Sequence, residues 1–277
     1  MTNRSFRFGV SLLKVGSLTS WQSRVREAED LGYDVLQVPD HLGLAAPFPA
    51  LIAAAAVSNL TVGPYVLNAG VLTSAYLARE AADTWRLTGG RLELGLGAGY
   101  VEAEFEAAGV PFGTPGSRLR KLTSVLTETR ALLDAEDDKP NPPIMVAGVG
   151  DRILAMAAAS ADIISFPINV GFGPGTPEEA LAARVGVVRE AAGGRDIELN
   201  LFVAGVGDTP DEIDLSVISK ATGMSNAQLA ELPGVLAGSP AQIAERLLRY
   251  REQYGLSYIS VLEPHMAAFA KVIALLR

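Results

Sequence analysis

Residues 33–41 read Tyr33-Asp34-Val35-Leu36-Gln37-Val38-Pro39-Asp40-His41. A short apolar, β-branched run suits a strand, and the proline that follows cannot extend its hydrogen-bond ladder. The strand therefore ends by delivering a carboxylate and an imidazole into a loop. Upstream, Gly32 closes an amphipathic run over residues 20–31, as a helix C-terminal cap does. The stretch is one joint of a helix–strand alternation.

The alternation continues along all 277 residues. Strand-like runs at 8–12, 35–38, 60–67, 92–96, 144–146, 162–165, 197–203 and 258–261 alternate with helical runs at 20–31, 49–58, 75–87, 117–133, 152–159, 177–191, 241–254 and 267–276. Such alternation predicts a parallel sheet covered by helices, an α/β fold. Eight units at this length predict one closed (β/α)8 barrel of the TIM type, a single domain over residues 1–277. Thr176-Pro177-Glu178-Glu179 and Ser239-Pro240-Ala241-Gln242 each set a hydroxyl at the N-cap, proline at N1 and an acid or amide at N3. Gly255 has the capping role of Gly32. Residues 134–143 read as a solvated connection, 171–175 as a flexible loop and 205–238 as polar loops.

Composition narrows the function. There are 23 Lys+Arg against 31 Asp+Glu, a formal charge of −8. Non-specific nucleic-acid or anionic-membrane binding needs the opposite sign. The absence of cysteine excludes disulfides, thiolate catalysis and Cys-ligated metals. With two histidines and no HExxH, no metal site is expected. GxSxG is also missing. The most apolar stretch, residues 48–57, is shorter than the roughly 20 residues a membrane span needs. Met1-Thr2-Asn3-Arg4-Ser5-Phe6 has no apolar leader pattern, so the expected location is the cytoplasm.

In a parallel barrel, chemistry belongs to the loops after the strands. Asp40-His41 is the first candidate, since imidazole titrates near neutral pH; the alternative is a turn-starting Asp with a surface His. Gly95-Leu96-Gly97-Ala98-Gly99-Tyr100 is the second, because glycines let backbone approach a ligand; the alternative is a tight turn. Ala147-Gly148-Val149-Gly150-Asp151-Arg152 is the third, where bare amides at a helix start can hold a phosphate; the alternative is a plain βα turn. Asn68 should face the barrel mouth by strand alternation. His265 is read as mouth-facing or, more simply, as a solvated helix-start residue. The apolar stripe of residues 51–56 predicts a packed helix face or a subunit interface.

These residues together resemble the bacterial luciferase-like superfamily and, within it, the coenzyme F420 (deazaflavin)-dependent oxidoreductases. The resemblance rests on Val38-Pro39-Asp40-His41, on Val62-Gly63-Pro64-Tyr65-Val66-Leu67-Asn68, on residues 77–82 and 238–247, and above all on residues 89–99. It implies that Asp40 and His41 lie near the deazaflavin ring, His41 as proton donor or orienting group. It implies a non-proline cis peptide at or near Tyr65-Val66 that backs the ring. Asn68 would meet the ring's polar edge, Gly97, Ala98, Gly99 and Tyr100 would line the cofactor channel, and Gly148, Val149 and Gly150 would hold its phosphate. The chain departs from the pattern in three places. Ala69-Gly70-Val71-Leu72-Thr73-Ser74 stands where relatives carry an Arg-His-Pro-like run, Val149 interrupts a glycine cluster, and the insertion before strand five is reduced.

The expectation is F420-dependent hydride transfer to a C=C or C=N bond of a small, uncharged or apolar substrate. One alternative is an FMN-dependent monooxygenase on the same fold. Another is a barrel without cofactor, acting as a catalyst or binding module. By the same resemblance, the helices carrying residues 53–57 and 76–85 would pair two copies into a homodimer.

Overall fold

Every strand pairing in the described residues is parallel. The computed structural model describes residues 4–138 and 140–277. Met1, Thr2 and Asn3, and Lys139 of the expected 134–143 connection, lie outside these. The chain runs β1 (Arg7–Ser11), α1 (Leu18–Asp30), β2 (Val35–Val38), α2 (Pro47–Ala55), β3 (Thr61–Pro64), β4 (Leu67–Asn68), α3 (Ser74–Leu87), β5 (Leu94–Gly97), α4 (Glu102–Ala107), α5 (Pro115–Asp134), β6 (Ile144–Ala147) and α6 (Asp151–Ser160). It continues through β7 (Ile163–Phe166), α7 (Pro177–Ala192), β8 (Glu198–Val203), β9 (Gly205–Gly207), α8 (Ser216–Thr222), α9 (Asn226–Ala230), β10 (Val235–Ala237), α10 (Pro240–Tyr254), β11 (Leu256–Leu262) and α11 (Met266–Leu276).

The main sheet has nine strands in the order β3-β2-β1-β11-β8-β7-β6-β5-β4. β3 and β4 are successive halves of one stave. The expected single strand at 60–67 is interrupted by the cis Tyr65-Val66 peptide, where the resemblance placed it. β3 pairs with β2, β4 pairs with β5, and a Val62–Leu92 bridge joins the two edges. The result is the expected TIM-type barrel of eight staves. Both predicted capping boxes are present, at Thr176 and Ser239, and Gly32 and Gly255 take positive φ.

Residues 205–238 depart from the expected polar loops. β9 and β10 form a two-stranded parallel sheet, joined by α8 and α9. Ile168, Ala204, Ile213, Leu215, Leu229, Leu232 and Val235 close a small core there, apart from the main one. Its elements are only three to seven residues long, too short to show a helical or strand period in the sequence.

The principal core lies between the sheet and the helices, and a second set of side chains fills the barrel. At the N-terminal end, Arg7 bonds both Glu93 and Glu198, whose carboxylates are buried. Above them sit Val35, Met145, Ile163 and Tyr258. Tyr258 Oη donates to Glu93 (3.2 Å) and accepts from Gln37 Nε2 (2.9 Å). Higher still, Ser165 Oγ and Tyr65 Oη donate to Asn200 Oδ1 at 2.7 and 2.9 Å, while Asn200 Nδ2 donates to Ser260 Oγ at 2.8 Å. A buried polar group left unpaired costs about 1–3 kcal/mol, so this crossing network fixes the floor of the mouth. Burial pushes the Tyr65 hydroxyl well above its usual range, so it stays protonated.

Candidate active site

The C-terminal ends of the staves share one rim. β2 ends at Val38, and Pro39 turns the chain so that Asp40 and His41 stand half-buried in the loop. Asp40 Oδ2 accepts the Asn68 backbone N–H at 3.0 Å and so ties this loop to the end of β4. His41 finds its carboxylate elsewhere: His41 Nδ1 lies 2.8 Å from Glu104 Oε1, which also accepts the Leu42 N–H at 3.2 Å. A carboxylate accepts, so in the neutral ring Nδ1 carries the proton and Nε2 presents its lone pair. Tyr100 Oη lies 3.2 Å from Nε2, with the two rings edge to face at 5.6 Å.

Glu104 is held by its neighbour. Phe105 is buried and packs on Phe112 at 5.1 Å between centroids. A Cβ at Gly70 or Gly99 would collide with the Phe105 ring, so these glycines let α4 lie close. With Phe105 turned inward on this short helix, Glu104 reaches His41. The sequence reading did not single out Glu104, one of three acids at 102, 104 and 106. The available signal was chemical: an imidazole that moves protons wants a carboxylate on its other nitrogen.

Asn68 is buried, and its Oδ1 accepts the Gly70 N–H at 3.0 Å. That bond fixes the amide's orientation and leaves Nδ2 as a buried donor without a partner among the described residues. Asp40, Leu42, Asn68, Val71, Glu104, Ala107 and Ala108 line a cavity of about 130 Å³ here. Tyr65, Val66 and Phe202 are half-buried at the mouth, with Tyr65 and Phe202 rings 5.9 Å apart.

The glycines need a different explanation from close approach to a ligand alone. A Cβ at Gly95 would collide with the Pro64 carbonyl and meet Val66 Cγ1 at 2.8 Å; one at Gly97 would meet Val66 Cγ2 at 2.9 Å. β5 needs them to pass the Tyr65-Val66 segment. Gly99 has φ +75°, and a Cβ there would strike the Asn68 side chain. Ala98 lies half-exposed between them. In the third loop, Gly148 donates its N–H to the Ser165 carbonyl at 3.1 Å, and Ile153 fills the space beside it. Val149 is half-buried and Gly150 exposed. Gly150 is the N-cap of α6, with no side-chain cap on the helix amides and open space around its own Cβ position.

The structure thus brings together Asp40, His41, Asn68, Gly99 and Tyr100, adding Glu104. It sets Tyr65 and Val66 beside them, and Gly148, Val149 and Gly150 on the same rim after β6. His265 is neither mouth-facing nor solvated. It is buried near the Ala204 and Val206 carbonyls and Asp214, under the 205–238 excursion. Burial pulls its imidazole below the usual range, against those carbonyls and the Asp214 charge. Among the described residues, no cluster of three or more His, Cys, Asp or Glu could hold a metal, and no helix is long and apolar enough to cross a membrane.

The sequence pattern of the luciferase-like monooxygenases matches residues 5–213. The chain belongs to that family. Among curated relatives, this luciferase-like chain is 26% identical over 259 residues to a 5,10-methylenetetrahydromethanopterin reductase from Archaeoglobus fulgidus, covering 87% of this chain and 73% of that one. Among solved structures, the coenzyme F420-dependent tetrahydromethanopterin reductase from Methanopyrus kandleri superposes with a TM-score of 0.73 at 16% identity, over 99% of this chain and 100% of that one. The oxygenating constituent of 3,6-diketocamphane monooxygenase from Pseudomonas putida, in complex with FMN, gives 0.73 at 14% identity, over 97% of both. The two superpositions show the luciferase-like barrel fold and do not choose between the two cofactors.

Proposed function

We propose that the protein is an F420-dependent oxidoreductase that exchanges a hydride between the deazaflavin and a C=N or C=C bond of a small, largely apolar substrate. The observation that carries this reading is His41 held between Glu104 and Tyr100 beside the unpartnered Asn68 Nδ2. A buried donor without an acceptor costs free energy, and the carbonyl edge of a flat heterocycle is a group that can satisfy it. The residues present therefore fit such a ring. Asn68 would meet its polar edge, Tyr65 and Val66 would lie under it, and the uncapped α6 amides after Gly150 would face its phosphate. When bound, the cofactor supplies the hydride. The chain's own part is to orient the substrate, exclude water and move one proton at His41 Nε2.

F420 is preferred to FMN because the 26% relative, alike over most of the chain, is named as a reductase, whereas the FMN-bound neighbour shares only the fold. Leu42, Val71, Ala107 and Ala108 around the cavity favour an apolar substrate. Tyr76 and Leu87 stand exposed on α3, which supports pairing of two copies through α2 and α3; sedimentation of the purified protein checks this. The functional test is titration of the protein with F420 and, separately, FMN. Micromolar binding of F420 and its reduced form's oxidation by an imine or enone are expected. Tight FMN binding with oxygen consumption would replace this reading by the monooxygenase one. No binding of either would leave a cofactor-free barrel.

A further inference from the structure

We infer that the Tyr100 hydroxyl is a catalytic proton relay between His41 Nε2 and the substrate. This rests on the reading of the site as an oxidoreductase and adds a group to its chemistry. With Nδ1 committed to Glu104, His41 exchanges protons only through Nε2. Tyr100 Oη already occupies that nitrogen, at 3.2 Å. Tyr100 is 71% exposed while its hydroxyl turns back onto His41 Nε2, so the imidazole's second nitrogen meets a phenol oxygen carried on a solvent-exposed side chain. A phenol is both donor and acceptor, which a relay needs. Partial desolvation, and then the Glu104 charge, hold the Tyr100 hydroxyl above its ordinary range, so it remains protonated at neutral pH.

In the reducing direction, the reduced cofactor supplies the hydride and its electron pair. For the reduction, the resting neutral His41 must first take a proton from solvent at Nε2, passed through Tyr100 Oη; Nδ1–H then stays on Glu104 and Nε2–H points to Tyr100 Oη. As the substrate atom next to the reduced carbon gains electrons, it takes the proton from Tyr100 Oη. The same oxygen takes the proton from His41 Nε2. Tyr100 ends as the phenol it was, His41 ends neutral, and one proton has passed to the substrate. Oxidation runs the sequence backwards.

The chain's two histidines make the test direct, because each gives one pair of imidazole ¹⁵N signals and His41→Asn identifies its own. In the wild-type protein near neutral pH, the His41 signals should report a protonated Nδ1 and a bare, hydrogen-bonded Nε2. In Tyr100→Phe, Nδ1 should be unchanged and the Nε2 signal should move toward that of an unbonded nitrogen. With F420 bound and an imine or enone acceptor, Tyr100→Phe should lower kcat about 10- to 100-fold, the lower part of the range for general acid–base groups because water can partly substitute. KM and F420 affinity should hold, and the solvent deuterium effect on kcat should change. A protonated Nε2 with a bare Nδ1 in the wild type, an Nε2 signal indifferent to Tyr100→Phe, or a kcat equal to or above wild type overturns the relay. A wild-type protein that binds no F420 overturns the functional reading and the relay with it. One that turns over F420 while Tyr100→Phe matches it removes the relay alone.

Discussion

Glu104→Gln isolates what the carboxylate does for His41. The amide is nearly isosteric, and its oxygen can still accept the Leu42 N–H now bonded to Glu104 Oε1 at 3.2 Å. The loop should therefore hold its place, and the melting temperature should shift little. What disappears is the negative charge 2.8 Å from His41 Nδ1. A hydrogen bond to a charged partner is worth about 1.5–3 kcal/mol. If His41 gains or gives up a proton at the transition state, that is the stabilisation withdrawn. At 1.36 kcal/mol per decade of rate, kcat should fall about 10- to 150-fold. KM should hold, because the interaction strengthens only as charge develops on the imidazole. The assay is oxidation of reduced F420 followed spectroscopically with an imine or enone acceptor, with F420 affinity measured in parallel. A kcat within twofold of wild type, with F420 still bound, would refute the argument and leave Glu104 as a loop anchor.

Four further substitutions probe the frame. Gly95→Ala places a methyl against the Pro64 carbonyl and Val66, so it should cost at least the roughly 1–3 kcal/mol of overpacking; Gly150→Ala meets nothing closer than 3.9 Å and should fold normally while binding F420 about tenfold more weakly. Urea unfolding and a cofactor titration separate the two effects. Arg7→Met strands the Glu93 and Glu198 carboxylates; with 32% of the Arg7 side chain reaching solvent, the loss should be about 3 kcal/mol, the low end for breaking a buried pair, or about 6–12 °C in Tm. Burial already raises the Glu93 carboxyl against the pull of Arg7, so the neutral acid is the form that tolerates the fold; the deficit should shrink as acidification protonates it and widen as pH rises through its folded value. His265 has the opposite sign: its folded value lies below about 6.5, so the unfolded chain takes up the proton first and wild-type stability should decline from pH 7.5 to 5.5. His265→Gln should flatten that part of the profile in urea unfolding.

The sequence made the barrel legible where a single element could state its own type. Val35 to Val38, buried throughout, ends at a proline, and the same grammar repeats around the ring. It could not show the break at Tyr65-Val66 from periodicity, because that break concerns how β3 and β4 meet different neighbours. It hid the 205–238 excursion, whose apolar residues are divided among elements too short to reveal a period. At the site, residue type and position pointed to Asp40, His41 and Asn68. Partnership was not legible: adjacency suggested an Asp40–His41 pair, but Asp40 serves the Asn68 amide and Glu104 serves the imidazole. The glycines were visible, yet most of their reason lies in Pro64, Val66, Asn68 and Phe105, which only the fold brings against them.

The capacity left unused on the rim constrains what binds there. Asp40 is engaged with Asn68, Glu104 with His41 and Leu42, and Gly148 N–H with Ser165. Asn68 Nδ2 at the end of β4 has no partner among the described residues, and the first amides of α6 have no side-chain cap. β4 and β6 are separated by one strand, β5, so at about 4.8 Å per strand spacing these two sets stand roughly 10 Å apart. A small substrate cannot span that distance. An elongated ligand can, with a flat ring bearing carbonyls over β4 and β5 and a phosphate reaching α6. Both F420 and FMN have that outline, so the two ends are tests of different things. Asn68→Ala should weaken either cofactor by removing the donor to the ring. Gly150→Ala should weaken binding of the whole cofactor while leaving affinity for a phosphate-free ring unchanged, and equal loss for both ligands would show that the α6 amides are not the anchor.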